Sequence, residues 1–297
     1  MYICLDIGGT TIKYGIADIQ GKFALRDTIP TEAKKYGGSG IQRKVFTIID
    51  RAKEIYDIHG IAISTAGTVD SRTGCITYAL EDSIPNYTGM NWKITIQNNF
   101  SLPISVENDV NCAALGELWQ GAGRDCTSLF VITLGTSIGG CLIVNGQLVH
   151  GISKSAGEIA YMRVPGGRLH EHCSTTHLIA SICHAKGLPV NGLDGREVFD
   201  LFARGDSITQ KKITTLVETL ADAMTNIICV VNPERIILGG GIMAQETFLR
   251  PIIEGALRKR LPPLIYDATT IAFATTQNDA GMLGALYHFL QEHKIAI

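Results

Sequence analysis

The chain has 297 residues, of which 45% are hydrophobic and 18% charged, with a formal net charge of −2. That length holds two domains of ordinary size, each with its own core. The near-neutral balance excludes a global field that would draw in nucleic acid or an anionic membrane surface.

Thirty-two glycines beside this apolar content fit an α/β protein with many tight strand–helix turns. The eight cysteines are scattered without a Cys-x-x-Cys pair. They read as reduced, mostly buried thiols of a cytoplasmic protein, not as a disulfide frame. Met1 leads directly into strand-like sequence, with no basic leader or apolar h-region. No apolar run approaches the roughly 18 residues a membrane span needs. The expectation is a soluble cytoplasmic protein.

Tyr2 to Leu5 is an apolar run that ends at Asp6-Ile7-Gly8-Gly9-Thr10-Thr11, and Ile12 to Ala17 resumes strand character. This predicts a β-hairpin closed by a Gly-Gly turn with Asp6 at its mouth. Glycines there let turn amides approach an anion without Cβ hindrance. A carboxylate beside such a turn can hold hydrated Mg²⁺ next to phosphates. Phe23 to Ile29 reads as a third strand. Gly37 to Gly40 reads as a flexible loop before a helix at about 41–57, where Ile41, Val45, Ile48, Ile49, Ala52 and Ile55 recur at helical spacing.

Ile61 to Ile63 is a buried-type strand, and Ser64-Thr65-Ala66-Gly67-Thr68 is the small-residue loop at its carboxyl end. Ligands of α/β folds sit at such ends. Residues 74–91 are loop-like around Pro85-Asn86, and a helix follows at about 92–100. The stretch Ser105 to Glu117 then passes from β-formers to Asn108-Asp109 and into an apolar helical pattern. Asp109 is either a helix cap or an exposed carboxylate fixed by rigid elements on both sides. The composition shift at Gln120 to Asp125 puts a hinge near 110–125.

Ser128 to Leu134, the turn Gly135-Thr136-Ser137-Ile138-Gly139-Gly140 and Cys141 to Val144 repeat the logic of residues 2–17. Thr136 and Ser137 add hydroxyl donors to the turn amides. Glu158 lies in a small-residue loop, where a carboxylate can accept from sugar hydroxyls. His170, His172, Cys173 and His177 have no standard zinc spacing. A long apolar stripe from Ile213 to Val231 reads as core or subunit interface, closed by Asn232-Pro233. Arg235 to Leu238 is a strand, and Gly239-Gly240-Gly241 is a third glycine turn, opening a helix at about 243–258 whose N-terminus suits a nucleotide phosphate or adenosine. Ile271 to Ala274 is a last strand, and Asn278-Asp279 caps a final helix through about residue 292.

With these residues in view, the chain resembles the ROK family of repressors, open reading frames and sugar kinases, within the actin-like, hexokinase-type ATPase fold. Asp6 to Thr10 resembles the family's first phosphate loop and Ser64 to Asp70 its sugar-edge loop. Glu107 to Asn111 resembles its catalytic stretch, Leu134 to Gly140 its second phosphate loop, Ala156 to Glu158 part of its sugar motif, and Gly239 to Gly241 its nucleotide turn. The match runs nearly end to end. It implies two RNase H-like α/β domains with ATP and a sugar in the cleft between them. These are a smaller N-terminal domain, residues 1–112, and a larger one, residues 113–278, with a C-terminal segment of about 279–297 packing back on the first.

By that resemblance Asp109 is the catalytic base, and Gly67, Asn86, Asn108, Glu158 and His177 are substrate contacts. Asp6, Gly8, Gly9, Thr10, Thr11, Gly135, Thr136, Ser137, Gly139, Gly240 and Gly241 serve ATP, with Asp6 holding Mg²⁺ through water. The chain departs from the family pattern after Glu158. Tyr161 stands where members carry His, and Arg168, His170 and Thr175 stand where three zinc cysteines are usual. His177 falls where a further sugar-binding Glu is expected.

No structural zinc is therefore expected, and the resemblance leaves glucose, N-acetylmannosamine and a β-glucoside open as acceptors. The resemblance further implies a homodimer that takes a small-molecule sugar and binds neither nucleic acid nor membrane. A DNA-binding repressor is the rival reading. It is disfavoured because Asp6 lies five residues after Met1, leaving no room for a helix-turn-helix segment. A non-catalytic sugar-binding relative is disfavoured because Asp109 and both phosphate loops are intact.

Overall fold

The computed structural model describes residues 1–190 and 192–296. The chain divides into two units: Met1–Arg124 with Gly151–Ser155 and Asn278–Ile297, and Asp125–His150 with Ala156–Gln277. In the first unit β1 (Tyr2–Ile7), β2 (Thr11–Ala17) and β3 (Phe23–Pro30) form a meander. They are followed by α1 (Ala33–Ile55), β4 (Gly60–Thr65), a two-stranded ribbon of β5 (Thr68–Asp70) and β6 (Cys75–Tyr78), α2 (Trp92–Phe100), β7 (Ile104–Asn108) and α3 (Asp109–Gln120). The sheet order is β3-β2-β1-β4-β7, with β1, β4 and β7 parallel and β2 antiparallel to both of its neighbours, β1 and β3.

The parallel strands are buried on both faces, which is why they read as continuous apolar runs instead of alternating ones. Ile3, Leu5, Ile61 and Ile63 pack with Ile41, Val45 and Ile49 of α1, whereas Tyr2, Cys4 and Ala62 face the C-terminal helix.

The helix α1 begins eight residues before the expected start at 41, because the glycine run lies inside it. The chain kinks at Gly37 (φ 56°), and the amide of Gly38 donates to the Pro85 carbonyl at 2.9 Å. A Cβ on Gly38 would stand 2.6 Å from the Asn86 carbonyl oxygen. These glycines permit close approach of a second loop; they are packed, not flexible.

The second unit repeats the plan. Its elements are β8 (Leu129–Leu134), β9 (Ile138–Val144), β10 (Gln147–Leu148), the short pair β11 (Arg163–Val164) and β12 (Gly167–Arg168), α4 (Leu169–His172), α5 (Thr175–Lys186), α6 (Gly195–Ala203), α7 (Ser207–Val231), β13 (Arg235–Gly239), α8 (Glu246–Arg258), α9 (Pro263–Tyr266) and β14 (Thr270–Phe273). The order β10-β9-β8-β13-β14, with the last three parallel, is the same five-strand order as in the first unit. Both are RNase H-like sheets of the actin-like ATPase fold. The 25 residues of α7 are long and apolar enough on composition to cross a bilayer, contrary to the expectation that no run would approach that length. The stripe Ile213, Leu216, Val217, Leu220 and Met224 is buried in the core of the unit.

The last helix, α10 (Ala280–Glu292), belongs to the first unit and packs along α3, β4 and β1. Residue 297, the end of the expected C-terminal segment, lies outside the described residues. Asp279 was expected to cap this helix but makes no side-chain cap bond; its carboxylate instead pairs with Arg26 at 3.0 Å.

Candidate functional site

In the first unit the polar residues gather where β1, β4 and β7 end. Asp6 pairs in register with Ser64, whose hydroxyl donates to Asp6 Oδ1 at 2.8 Å, and the ammonium of Lys13 lies 3.4 Å from Oδ2. The turn after β1 closes with the amide of Gly8 donating to the Thr11 carbonyl at 2.9 Å, and Gly9 and Thr10 are exposed. A Cβ on Gly9 would meet no protein atom within 4 Å, and its backbone is not left-handed. Nothing in the fold demands glycine there; the residue faces open space.

Asp109 is the first helical residue of α3, on the far side of the same strand ends. The helix cap is Asn108. Its Oδ1 accepts from the amides of Val110 (2.9 Å) and Asn111 (3.1 Å). Capping by Asn108 leaves Asp109 a different task. Asp109 Oδ1 accepts from Asn108 Nδ2 and from the Val110 amide, each at 2.9 Å. Asn108 Nδ2 also donates to the Gly67 carbonyl at 2.9 Å, which ties the loop after β4 to the carboxylate. Gly67 has φ +100°, and a Cβ there would press on the Tyr78 carbonyl, so this glycine is required by the fold itself.

Beneath the loop, the Thr65 hydroxyl and the Tyr87 phenol are 2.6 Å apart, and the Trp92 indole donates to Tyr87 at 2.9 Å. Burial pushes the Tyr87 phenol up to about 12, and the charge of Asp109 adds to the rise. Asn86 is exposed in a left-handed turn (φ 55°), its amide donating to Glu81 at 3.0 Å.

In the second unit the amide of Gly135 donates to the Ser137 carbonyl at 2.8 Å, closing a turn one residue shorter than the first, with Thr136 and Ser137 exposed and Gly139 half-buried in β9. The third glycine turn adjoins it. Gly240 (φ +97°) lies so close to Leu134 that a Cβ would overlap its backbone, whereas Gly241 faces open space. A short 3-10 turn, Gly241–Ala244, separates this glycine run from α8, so the helix opens later than expected. The amide of Thr175, at the start of α5, donates to the Gly135 carbonyl at 2.9 Å.

Glu158 is exposed, yet partial loss of hydration raises its carboxyl above the usual glutamate range. Tyr161 is 53% exposed. His177 is exposed, stands edge-on to His172 at 5.9 Å, and its imidazole is shifted down first by desolvation, then by the charges of His172 and Lys212. Arg168 pairs with Glu171 at 3.0 Å. Among the described residues no three His, Cys, Asp or Glu side chains gather as metal ligands.

Ser64, Glu107 and Thr175 were named from sequence only as parts of motifs, with no role of their own, and His288 was not named. Ser64 had a readable signal, since it and Asp6 each occupy the last polar position before a small-residue turn. Thr175 and His288 had none, because their partners Gly135 and Glu107 lie far along the chain, whereas the hydrogen bonds of Glu107 to Asn108 and Asn111 are local.

The model of the ROK family matches residues 2–292. A β-glucoside kinase of Listeria monocytogenes is 34% identical over 295 residues, covering 97% of this chain and 96% of its own. Among solved structures, a Listeria monocytogenes protein proposed to be an N-acetylmannosamine kinase superposes with a TM-score of 0.87 at 31% identity, covering 98% and 99% of the two chains. A ROK family protein from Streptococcus pneumoniae, in complex with sucrose, gives 0.85 at 27% identity and 99% coverage of both.

Proposed function

The chain belongs to the ROK family, and from that premise we propose that it is an ATP-dependent sugar kinase whose base is Asp109. The observation that carries the reading is the anchoring of the Asp109 carboxylate by Asn108 and Val110 at the half-buried end of β7. A helix cap would have sufficed for folding, and Asn108 already provides it.

The acceptor hydroxyl, most simply the primary 6-hydroxyl, hydrogen-bonds to Asp109 and attacks the γ-phosphoryl group in line. Asp109 takes the proton as the O–P bond forms and the bond to ADP breaks. The first unit supplies this base and the turn Gly8 to Thr11, and the second supplies Gly135, Thr136, Ser137 and Gly139, with Gly240 and Gly241 for the nucleotide. Open glycines at 9, 135 and 241 let backbone amides reach phosphate oxygens. The hard oxygens of Asp6, beside Ser64 and Lys13, suit Mg²⁺ held through water. When bound, that ion would offset charge on the phosphoryl oxygens.

Gly67, Asn108, Asn86, Glu158 and His177 surround the sugar in this reading. The relatives named above bear names or ligands pointing to a β-glucoside, N-acetylmannosamine and sucrose, and with Tyr161 and His177 in place of the family's His and Glu we do not assume a strict preference for glucose. We further place the protein in the cytoplasm as a homodimer without nucleic-acid or membrane partners. Release of ADP, measured across hexoses, N-acetylhexosamines and β-glucosides, tests the proposal. Turnover of at least one with 1:1 ADP is expected, and none with any class would leave a sugar-binding protein. Sedimentation tests the dimer.

A further inference from the structure

We infer that Glu107 and His288 are a positioning pair through which one face of α10 sets Asp109 in register with Asp6. Its activity arm rests on the kinase reading above; its structural arm does not.

Glu107 is the residue before Asn108 on β7 and has no exposure to solvent. Its Oε1 accepts from the Asn108 amide at 2.8 Å and from Asn111 Nδ2 at 2.9 Å, so it holds both ends of the turn that presents Asp109. The Nε2 of His288 faces Oε2 at 3.8 Å, from a side chain only 14% exposed. A carboxylate removed from water is stabilised only by such polar neighbours.

His288 shares a helix face with Gly281 and Gly284, at spacings of three, four and seven residues. A Cβ at 281 would stand 2.6 Å from Asp6 Cγ, and one at 284 would overlap the Cys112 carbonyl oxygen. The same face therefore touches the carboxylate of the phosphate turn, the first turn of α3 and the carboxylate behind the base. Side chains are absent from that face except where an imidazole meets Glu107. A core helix needing only apolar packing would place a methyl or phenyl group there. The path from α10 to chemistry is short: His288 to Glu107, Glu107 to the Asn108 amide, and Asn108 to both Gly67 and Asp109. A shift of about 1 Å in such a chain costs roughly 100-fold in rate.

The test compares His288→Leu, His288→Gln and Glu107→Gln with wild type, as full-length protein. His288→Leu is expected to lower kcat by about 10- to 100-fold while leaving the KM for ATP unchanged. His288→Gln, which keeps an N–H, recovers most of the loss, and Glu107→Gln combined with His288→Leu loses less than the two single effects multiplied. In parallel, hydrogen exchange of the Val110 and Asn111 amides, which are capped by Asn108, accelerates in His288→Leu while that of α7 does not change.

Normal kcat in His288→Leu, equal losses in Leu and Gln, or unchanged exchange at 110–111 would overturn the pair. If wild type phosphorylates no sugar, the kinase reading fails by itself and the exchange arm still decides. If His288→Leu does not fold, His288→Ala is read by the same exchange.

Discussion

The two sheets have one strand order but different chemistry at corresponding positions. Asp6 is the fifth residue of β1, two before the turn, and its neighbour in register on β4 is Ser64. The fifth residue of β8 is Thr133, and its neighbour on β13 is Gly239. A carboxylate with a hydroxyl partner in one unit is answered by a hydroxyl and a bare backbone in the other. The helix that follows the edge of the first sheet opens on Asp109, and the glycine run after β13 opens on empty space. If both turns bind anions as proposed, the side chains at the strand ends would assign proton and metal work to the first unit and leave the second to hold phosphate and nucleotide. Function here is written on the ends of strands, not in the sheet.

The largest effect should come from breaking that asymmetry at its centre. Asp109→Asn keeps an acceptor for the Asn108 and Val110 donors but cannot take a proton. Its kcat should fall by about 10²–10⁴-fold, with sugar affinity by calorimetry retained; turnover within a few-fold of wild type would remove Asp109 as base. Giving the first unit the second unit's residue, Asp6→Thr, should cost about 10²–10³-fold in kcat and weaken dependence on added Mg²⁺. The reciprocal Thr133→Asp should gain nothing, since Gly239 offers no hydroxyl to orient the new carboxylate. A functional Thr133→Asp, Asp6→Thr double variant would show that the two units are chemically interchangeable.

Most of this division was legible in sequence because polarity changes abruptly where each strand ends. The motifs at those strand ends, read together in order, were enough to give the family and the fold and to single out both glycine turns and Asp109 for the roles proposed above. What stayed hidden depends on contacts between distant residues. Gly37 to Gly40 looked flexible, but their role is to admit Pro85 and Asn86, some 48 residues away. Asp279 looked like a cap, but Arg26 competes for its carboxylate. Gly281, Gly284 and His288 looked like ordinary helix residues until their face met Asp6, Cys112 and Glu107. Local propensity names the cap position; only packing tells which of Asn108 and Asp109 occupies it.

The glycines allow a subtler test of the two kinds of turn position. Gly9 and Gly241 face open space without left-handed backbone, whereas Gly240 is pressed on Leu134 at φ +97°. Gly9→Val and Gly241→Ala should leave the melting temperature near wild type and raise the KM for ATP by about tenfold, the loss expected of ~1.4 kcal/mol of binding. Gly240→Ala should lower the melting temperature whether or not ATP is bound, because an added Cβ meets backbone. Equal melting losses at all three positions would mean that the open glycines serve folding after all.

The smallest predicted effect separates stability from binding at Glu158 by sign. Partial desolvation raises its folded-state pKa above the ordinary glutamate value. The folded chain therefore binds this proton more tightly than the unfolded chain. By linkage, the contribution of Glu158 to stability is most favourable at low pH and declines as pH rises from the ordinary value to the raised one. Sugar binding should run the opposite way, because the carboxylate is the better acceptor for sugar hydroxyls. As pH falls through the raised pKa, the KM for sugar should rise while this residue slightly strengthens the fold. Glu158→Gln should flatten that limb of the KM profile and start from a higher KM at neutral pH. A KM limb that persists unchanged in Glu158→Gln would assign the titration to another group and take Glu158 out of the sugar site.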